Sequence, residues 1–573
     1  MPPPYQRTGE QAPAAAPPFP EDPTTATRHL CAAAYLDEEF RETALREVYH
    51  QPRRAVAPSH GFHLIPVLAH CLHARSIAIW RDGVITATLL IMLCAASGPT
   101  ITLIGLLIAF HAVVATARLA RDVVRGMRTG TSIDLGALAG RTLLLTIAWT
   151  AAGLIFFLGA FQQFADLAGS ALTGGSTRAV ETMITNFAAV FALGLLFFGI
   201  AVGWSLWRRH QLDGLGPRQI PSVPKNTQRL QEIVAQQQGN TAIYGDFDPF
   251  VGAGDLVGTW GFAQRLVRPP SDDVAEALVG DGARHAATDG RRAASEGERE
   301  FDVVPFAAGE LIDHLRTHLT DLSMYRPNDG RGYPGPEDLL GTLTVTDRVY
   351  LAGTEVADLN PLLPAETVAG VIRFPTTPAR HHLDCQVVSW GGELVTTVHV
   401  HVAVQGRSLY LEVSTTALLP TADVYRQVST VDGTGPVAWW RALRWAVVNT
   451  PATVGRAPRN VARALATAAF TGGGNPMRRG LNRGALISVR ELGTRLDGAR
   501  NFTQYLDIVK YRNLIERRVQ AATLDFLESR GVDTTEYRNR VNNWNIGGSV
   551  YGGQNNQYTN PIGGDSKTGG DKS

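Results

Sequence analysis

Four side chains carry the sharpest chemical pattern in this sequence: His382, Asp384, His399 and His401. They lie in or directly before two β-type runs, Leu383–Trp390 and Leu394–Val404, that flank Gly391-Gly392. A two-residue glycine turn predicts a hairpin in which Trp390 pairs with Glu393. That register sets Asp384 opposite His399 and His382 opposite His401. Strand side chains alternate between faces, so all four share one face. Three imidazoles and a carboxylate make a donor set for Zn²⁺ or a similar metal. A plainer reading competes. Gln386, Glu393 and Thr397 share that face, while Leu383, Cys385, Val387, Val398, Val400 and Val402 face the other way and form the core. The expectation is therefore a solvated polar face and no cofactor, with the metal centre as the alternative. Two weaker patterns precede the hairpin. Phe250-Val-Gly-Ala-Gly254 has the composition of a phosphate-cradling turn, but no long helix follows it. Asp246-Phe-Asp-Pro249 could bind a cation, although Asx-turn duty explains it as well. Nucleophile-elbow, Walker, kinase, HExxH and EF-hand motifs do not occur.

The elements that must position these residues begin with membrane helices. Gly83–Ala117 contains no Asp, Glu, Lys or Arg, and a helix needs only about 20 residues to cross the hydrocarbon core. Ser97-Gly98-Pro99 breaks the run into two spans. Thr142–Phe161 and Ile184–Trp207 supply two more. The predicted region is 81–210, with spans at about 83–97, 99–117, 142–161 and 184–207. Arg118, Arg121, Arg125, Arg128 and Arg141 crowd the central loop, Arg208 and Arg209 follow the last span, and Arg75 and Arg81 precede the first. The positive-inside rule then places both termini in the cytoplasm of a bacterial plasma-membrane protein. The first span is the shortest, so a re-entrant segment is the alternative there. No Asp, Glu, Lys or Arg falls inside these bounds, and His111 and Asn186 read as interhelix hydrogen bonders, which argues for an anchor or small bundle rather than a conduction path.

Residues 1–26 are Pro- and Ala-rich with no apolar run. They are expected to be a disordered tail rather than a signal peptide. Residues 27–80 read as a cytoplasmic helical segment and 211–240 as a linker with a short helix. From 241 to 430 the pattern becomes strands with one helix, Ala308–Ser323, and a mobile charged loop at 271–300. This predicts a cytoplasmic α+β domain with an antiparallel sheet. Residues 433–490 hold nine Arg and no acid, led by Trp439, Trp440 and Trp445. Trp with Arg on a helix is the composition of an interfacial segment. Trp439, Trp440, Arg441, Arg444, Trp445, Arg456, Arg459 and Arg463 are its expected membrane-facing residues, with anionic head groups as the ligand. A buried Trp cluster and a nucleic-acid patch are the competing readings, the latter not expected. Residues 500–541 read as helices, with Gly531 ending the first. The tail, 542–573, is Gly- and Asn-rich and expected to be disordered. Within it Asn545, Ile546, Gly548, Val550, Gly552 and Asn555 could form a short cross-β segment.

Net charge is +1, so no global electrostatic address exists. Only Lys225, Lys510, Lys567 and Lys572 are lysines among the 53 basic residues, a bias that points to a GC-rich bacterial genome. Four scattered cysteines, Cys31, Cys71, Cys94 and Cys385, speak against a disulfide framework.

Four segments carry a family resemblance: Leu30–Phe40, Arg54–Ser59, Asp248–Gly254 and Ser389–Leu394. They resemble a family of uncharacterised actinobacterial multi-pass membrane proteins, over most of residues 27–540. The resemblance implies a shared architecture and supplies no catalytic residues. The Gly548-Ser-Val-Tyr-Gly552 core separately resembles short amyloid-signalling motifs of some membrane-active effectors. The expectation is a four-span inner-membrane protein with a binding or regulatory domain, not an enzyme. Its partners would be the bilayer and an unknown protein or a second copy of itself. The alternatives are a membrane-disrupting defence effector clustered through its tail, and a metalloenzyme using the hairpin histidines.

Overall fold

The computed structural model describes residues 21–129, 135–224, 226–269, 299–323, 340, 342–356, 359–429, 436–471, 482–494 and 502–540. Its helices are α1 Thr25–Leu36, α2 Glu38–Ala44, α3 Leu64–Ala95, α4 Ser97–Thr129 and α5 Leu135–Asp213. After them come α6 Gln228–Gln237, α7 Ala308–Thr320, α8 Ala365–Arg373, α9 Pro436–Thr471, α10 Val489–Leu492 and α11 Phe502–Ser529. The strands are β1 Thr241–Tyr244, β2 Asp255–Arg265, β3 Leu343–Ala352, β4 Arg380–Ser389, β5 Leu394–Gln405 and β6 Ser408–Leu418. The tail and its self-assembly candidates from Asn545 to Asn555, residues 1–20 of the expected disordered segment 1–26 and most of the 271–300 loop lie outside the described residues, whereas the end of that segment is ordered, with Asp22 paired to Arg28 and Thr25 and Ala26 opening α1.

Four helical segments are long and apolar enough to cross a membrane: Leu64–Ala95, Ser97–Val124, Leu138–Gly169 and Val180–Asp213. The first is longer than the sequence pattern indicates. Helix α3 runs unbroken for 32 residues through Arg81-Asp82-Gly83, where the charges had marked a boundary. Those charges are satisfied in place. Arg81 bonds Asp82 and stacks over the Trp204 ring at 4.5 Å, while Asn460 of α9 donates to Asp82 at 2.8 Å. Helical run α5 carries the last two spans. A Cβ on Gly159 would collide with Thr102, and one on Gly194 would touch Leu103. Both halves of α5 thus meet the same turn of α4. Gly159 and Gly194 would stand roughly 50 Å apart on a straight helix, so the chain folds back between them.

The sheet is mixed, in the order β1-β3-β4-β5-β6-β2. Every pairing is antiparallel except β1 with β3, which is parallel. That edge pairing departs from the fully antiparallel expectation, and strand β2 was not anticipated: Gly258 and Gly261 interrupt its apolar pattern. One sheet face packs on α7 and α11, where Leu383, Cys385, Val398 and Val400 meet Leu311, Leu315, Ile515 and Val519. A second core joins α1, α2 and the first half of α3 to Leu215, Leu230, Ile233, Ala422, Tyr425 and Val489. Helix α3 therefore belongs to that core at its start and to the spans at its end.

Candidate functional sites

The predicted hairpin forms in its predicted register, with Asp384 opposite His399 and Ser389 opposite Leu394. Gly391 and Gly392 adopt φ of 64° and 85°, the left-handed region that glycine enters without steric cost. Neither could carry a side chain in place: a Cβ at Gly391 would sit 2.3 Å from the Asp22 carbonyl, and one at Gly392 would overlap Gly61.

The polar face is not solvated. His382, Asp384, His399 and His401 are all at most 7 % exposed, and Glu393 and Thr397 are buried with them. The cover comes from two loops distant in sequence. Phe250 stacks on the His399 ring, 4.0 Å between centroids and 17° from parallel, with its edges toward Tyr350 and His382. His60 hydrogen-bonds Gln386 through Nδ1 at 2.8 Å. Strand β3 adds Arg348 and Tyr350, which sequence patterning did not single out. Asp384 is the hub. It accepts from the Tyr350 hydroxyl at 2.8 Å, from His399 Nδ1 at 2.7 Å and from Arg348 Nε at 3.1 Å. The other ring nitrogen of His399, Nε2, lies 3.1 Å from the Thr416 hydroxyl.

Burial would raise the Asp384 carboxyl. The neighbouring His399 and the Arg348 guanidinium outweigh it and hold the group well below the usual carboxylate range. Burial pushes His382 well below its ordinary value, with His401 adding to the shift. It lowers His401 too, and takes His60 down to about 4 with help from Arg348.

The order hydroxyl–imidazole–carboxylate from Thr416 to Asp384 is that of a hydrolytic relay. Yet Thr416 is 1 % exposed and Phe250 covers the imidazole, so no substrate carbonyl reaches the hydroxyl. Metal chelation by the same set is opposed by its geometry. Both nitrogens of His399 are engaged, and His401 Nδ1 faces the His381 carbonyl. Among the described residues no three His, Cys, Asp or Glu side chains are placed to hold a metal ion. The network binds loops to sheet.

The glycine turn at 250–254 is likewise occupied from within. Gly252 and Gly254, at φ of 96° and 90°, donate to one Glu491 oxygen at 2.8 and 3.1 Å. The Phe250 N–H bonds Asp248, an Asx turn. A second buried node ties the N-terminus to the hairpin. Glu393 pairs with His29 at 2.6 Å and accepts from the Thr421 N–H at 2.7 Å. Burial opposes its ionisation, but His29 and fully buried Arg490 prevail and bring its carboxyl down to about 2.

The Trp/Arg segment is helix α9, and it packs on the spans. Ala446, Val454 and Ala457 are buried, Val454 and Ala457 in a cluster with Ile85, Leu193 and Phe197. Arg208 stacks over the Trp445 ring at 4.1 Å. Trp440, Arg444, Arg456, Arg459 and Arg463 are exposed. The side chains of Trp439 and Arg441 fall outside the description.

A family model described as the AbeC-like domain matches residues 259–557. The match begins inside β2, beyond the spans, and continues past the last described helix. No curated protein and no solved structure matches this chain. The matched stretch holds four of the six strands whole, most of a fifth, the histidine network and α9, and covers more than half of the sequence, so the chain belongs to the AbeC-like domain family.

Proposed function

We propose that this is a multi-pass protein of the bacterial plasma membrane, with both termini cytoplasmic, that holds its AbeC-like domain rigidly at the inner face as a binding or regulatory module. The observation that carries this reading is α3. Val67, Leu68, Cys71 and Ala74 of this helix are sealed in the core shared with α1 and Tyr425, while its second half is exposed and apolar, with Leu90 and Ile91 about 60 % open. At α3 one unbroken helix joins that core to the span. The arginine distribution supports the orientation. The sealed Thr416–His399–Asp384 chain supports a non-enzymatic role.

The orientation is tested with cysteine handles. Cys31, Cys71 and Cys385 are buried, and Cys94 is exposed. In a Cys94→Ala background, Ser97→Cys should react with a membrane-impermeant maleimide on intact spheroplasts. Thr535→Cys should react only after lysis. The reverse pattern would overturn the topology. For the regulatory role, cross-linking in cells should recover a protein partner or a second copy of the chain.

A second reading is favoured by one observation: the family match extends through residue 557, across Gly548–Gly552. In that reading the tail clusters a membrane-disrupting effector. Equal induction of the full chain and of one ending at Asn543 separates the two. Permeabilisation that needs the tail would select the effector; identical growth would remove it.

A further inference from the structure

Helix α9 has two stripes. The inner one, through Ala446, Thr450, Val454 and Ala457, faces the spans. The outer one presents Arg456, Arg459 and Arg463 at spacings of three and four, a single helical face, with Arg444 a little over three turns earlier. Among the described residues no carboxylate pairs with any of the four, although most exposed arginines of the sheet domain have such a partner. The helix itself contains no acid.

Its depth follows from one hydrogen bond. Asn460 meets Asp82, and from Asp82 to the turn at Ala96 is roughly 21 Å of helix at ~1.5 Å per residue. With the outer boundary at that turn and a hydrocarbon core of about 30 Å, α9 crosses α3 about 9 Å inside the inner boundary. Interfacial amphipathic helices lie about 5–10 Å deep. Long arginine side chains at that depth reach the phosphate layer with their guanidiniums while their stems stay in hydrocarbon. Trp204 under Arg81 and Trp445 under Arg208 complete an aromatic and cationic belt at the same level.

We infer that the stripe Arg456–Arg459–Arg463, with Arg444, is a binding site for the phosphate head groups of anionic lipids in the inner leaflet. This rests on the membrane reading above and adds the ligand class. Planar guanidiniums pair bidentately with phosphate, and an anionic leaflet adds a field that a zwitterionic one lacks.

The test uses the full chain reconstituted in phosphatidylcholine vesicles doped with spin-labelled lipid. Spin-labelled phosphatidylcholine reports the motionally restricted shell around the spans. Spin-labelled phosphatidylglycerol reports selectivity for that shell. Wild type should favour phosphatidylglycerol, with about a fivefold gain for each guanidinium at the site. The triple variant R456Q/R459Q/R463Q should keep the phosphatidylcholine shell and lose the selectivity. The corresponding Lys variant should retain most of it. A normal shell without selectivity in wild type, or selectivity unchanged in the Gln variant, would overturn the inference and leave the membrane reading intact. Absence of any restricted shell would overturn the membrane reading itself.

Discussion

The polar face of the sheet and the outer stripe of α9 are both rich in cationic or ionisable groups, and they treat them in opposite ways. Under the hairpin the central charge is closed in: Asp384 has three donors, and Glu393 has His29 and Thr421. On α9 four arginines stand exposed with no carboxylate partner among the described residues. A buried charge persists only when it is paired, and an unpaired exposed cation costs the fold nothing. The first pattern therefore belongs to the scaffold, and the second is free to serve an outside partner.

The sharpest way to break this comparison is Asp384→Ala. It leaves half-buried Arg348 and the buried Tyr350 hydroxyl beside vacated space and should lower stability by about 3 kcal/mol, read from thermal unfolding in detergent. A shift no larger than that of a surface substitution would show the network to be dispensable. Gly252→Ala should rank next, at about 1–3 kcal/mol, because it forces a side chain into left-handed backbone with its Cβ 2.7 Å from the Pro58 carbonyl. An unchanged melting curve would mean that the 250–254 loop does not seal the face.

The histidines sharpen the comparison through pH. His60, His382 and His401 have folded values below their unfolded value of about 6.5. The unfolded chain thus binds more protons between pH 6.5 and about 4, and stability should fall as pH drops through that window. His60→Asn should flatten part of the slope. Glu393, depressed to about 2, adds a loss at lower pH, beginning near its unfolded value and complete only as pH falls through 2. Thr416→Val removes a single hydrogen bond to His399 and should cost about 1 kcal/mol. Smallest of all, the α9 triple Gln variant should change stability by no more than about 0.5 kcal/mol. A large loss there would place the arginine stripe in the scaffold after all.

The hairpin register was legible because a glycine pair and strict alternation fix it locally. Gly531 as a helix terminator was legible for the same reason, and it takes φ of 67°. The burial of the polar face was not, since Phe250 and His60 reach it from segments more than a hundred residues away and nothing in residues 380–405 announces a cover. Arg81-Asp82 reads as the edge of the first span because a charge pair marks an exit from the membrane, and nothing local shows that the helix continues through it; the partners of the pair, Trp204 and Asn460, come from α5 and α9. The segments behind the family resemblance do converge. Pro58 backs Gly252, Gly61 backs Gly392, and Gly493 lies against Leu30 and Phe40.

The pairing of His29 with Glu393 also sets a schedule for biosynthesis. Helix α1 leaves the ribosome 364 residues before the carboxylate it needs. At ~5–20 residues per second that interval is roughly 20–70 seconds, in which the spans insert while the core of α1, α2 and α3 still lacks Ala422, Tyr425 and Val489. That side of the N-terminal core stays open until the last strands arrive. Nascent chains stalled before residue 393 should therefore be the most chaperone-bound and protease-sensitive forms of this protein in the cell.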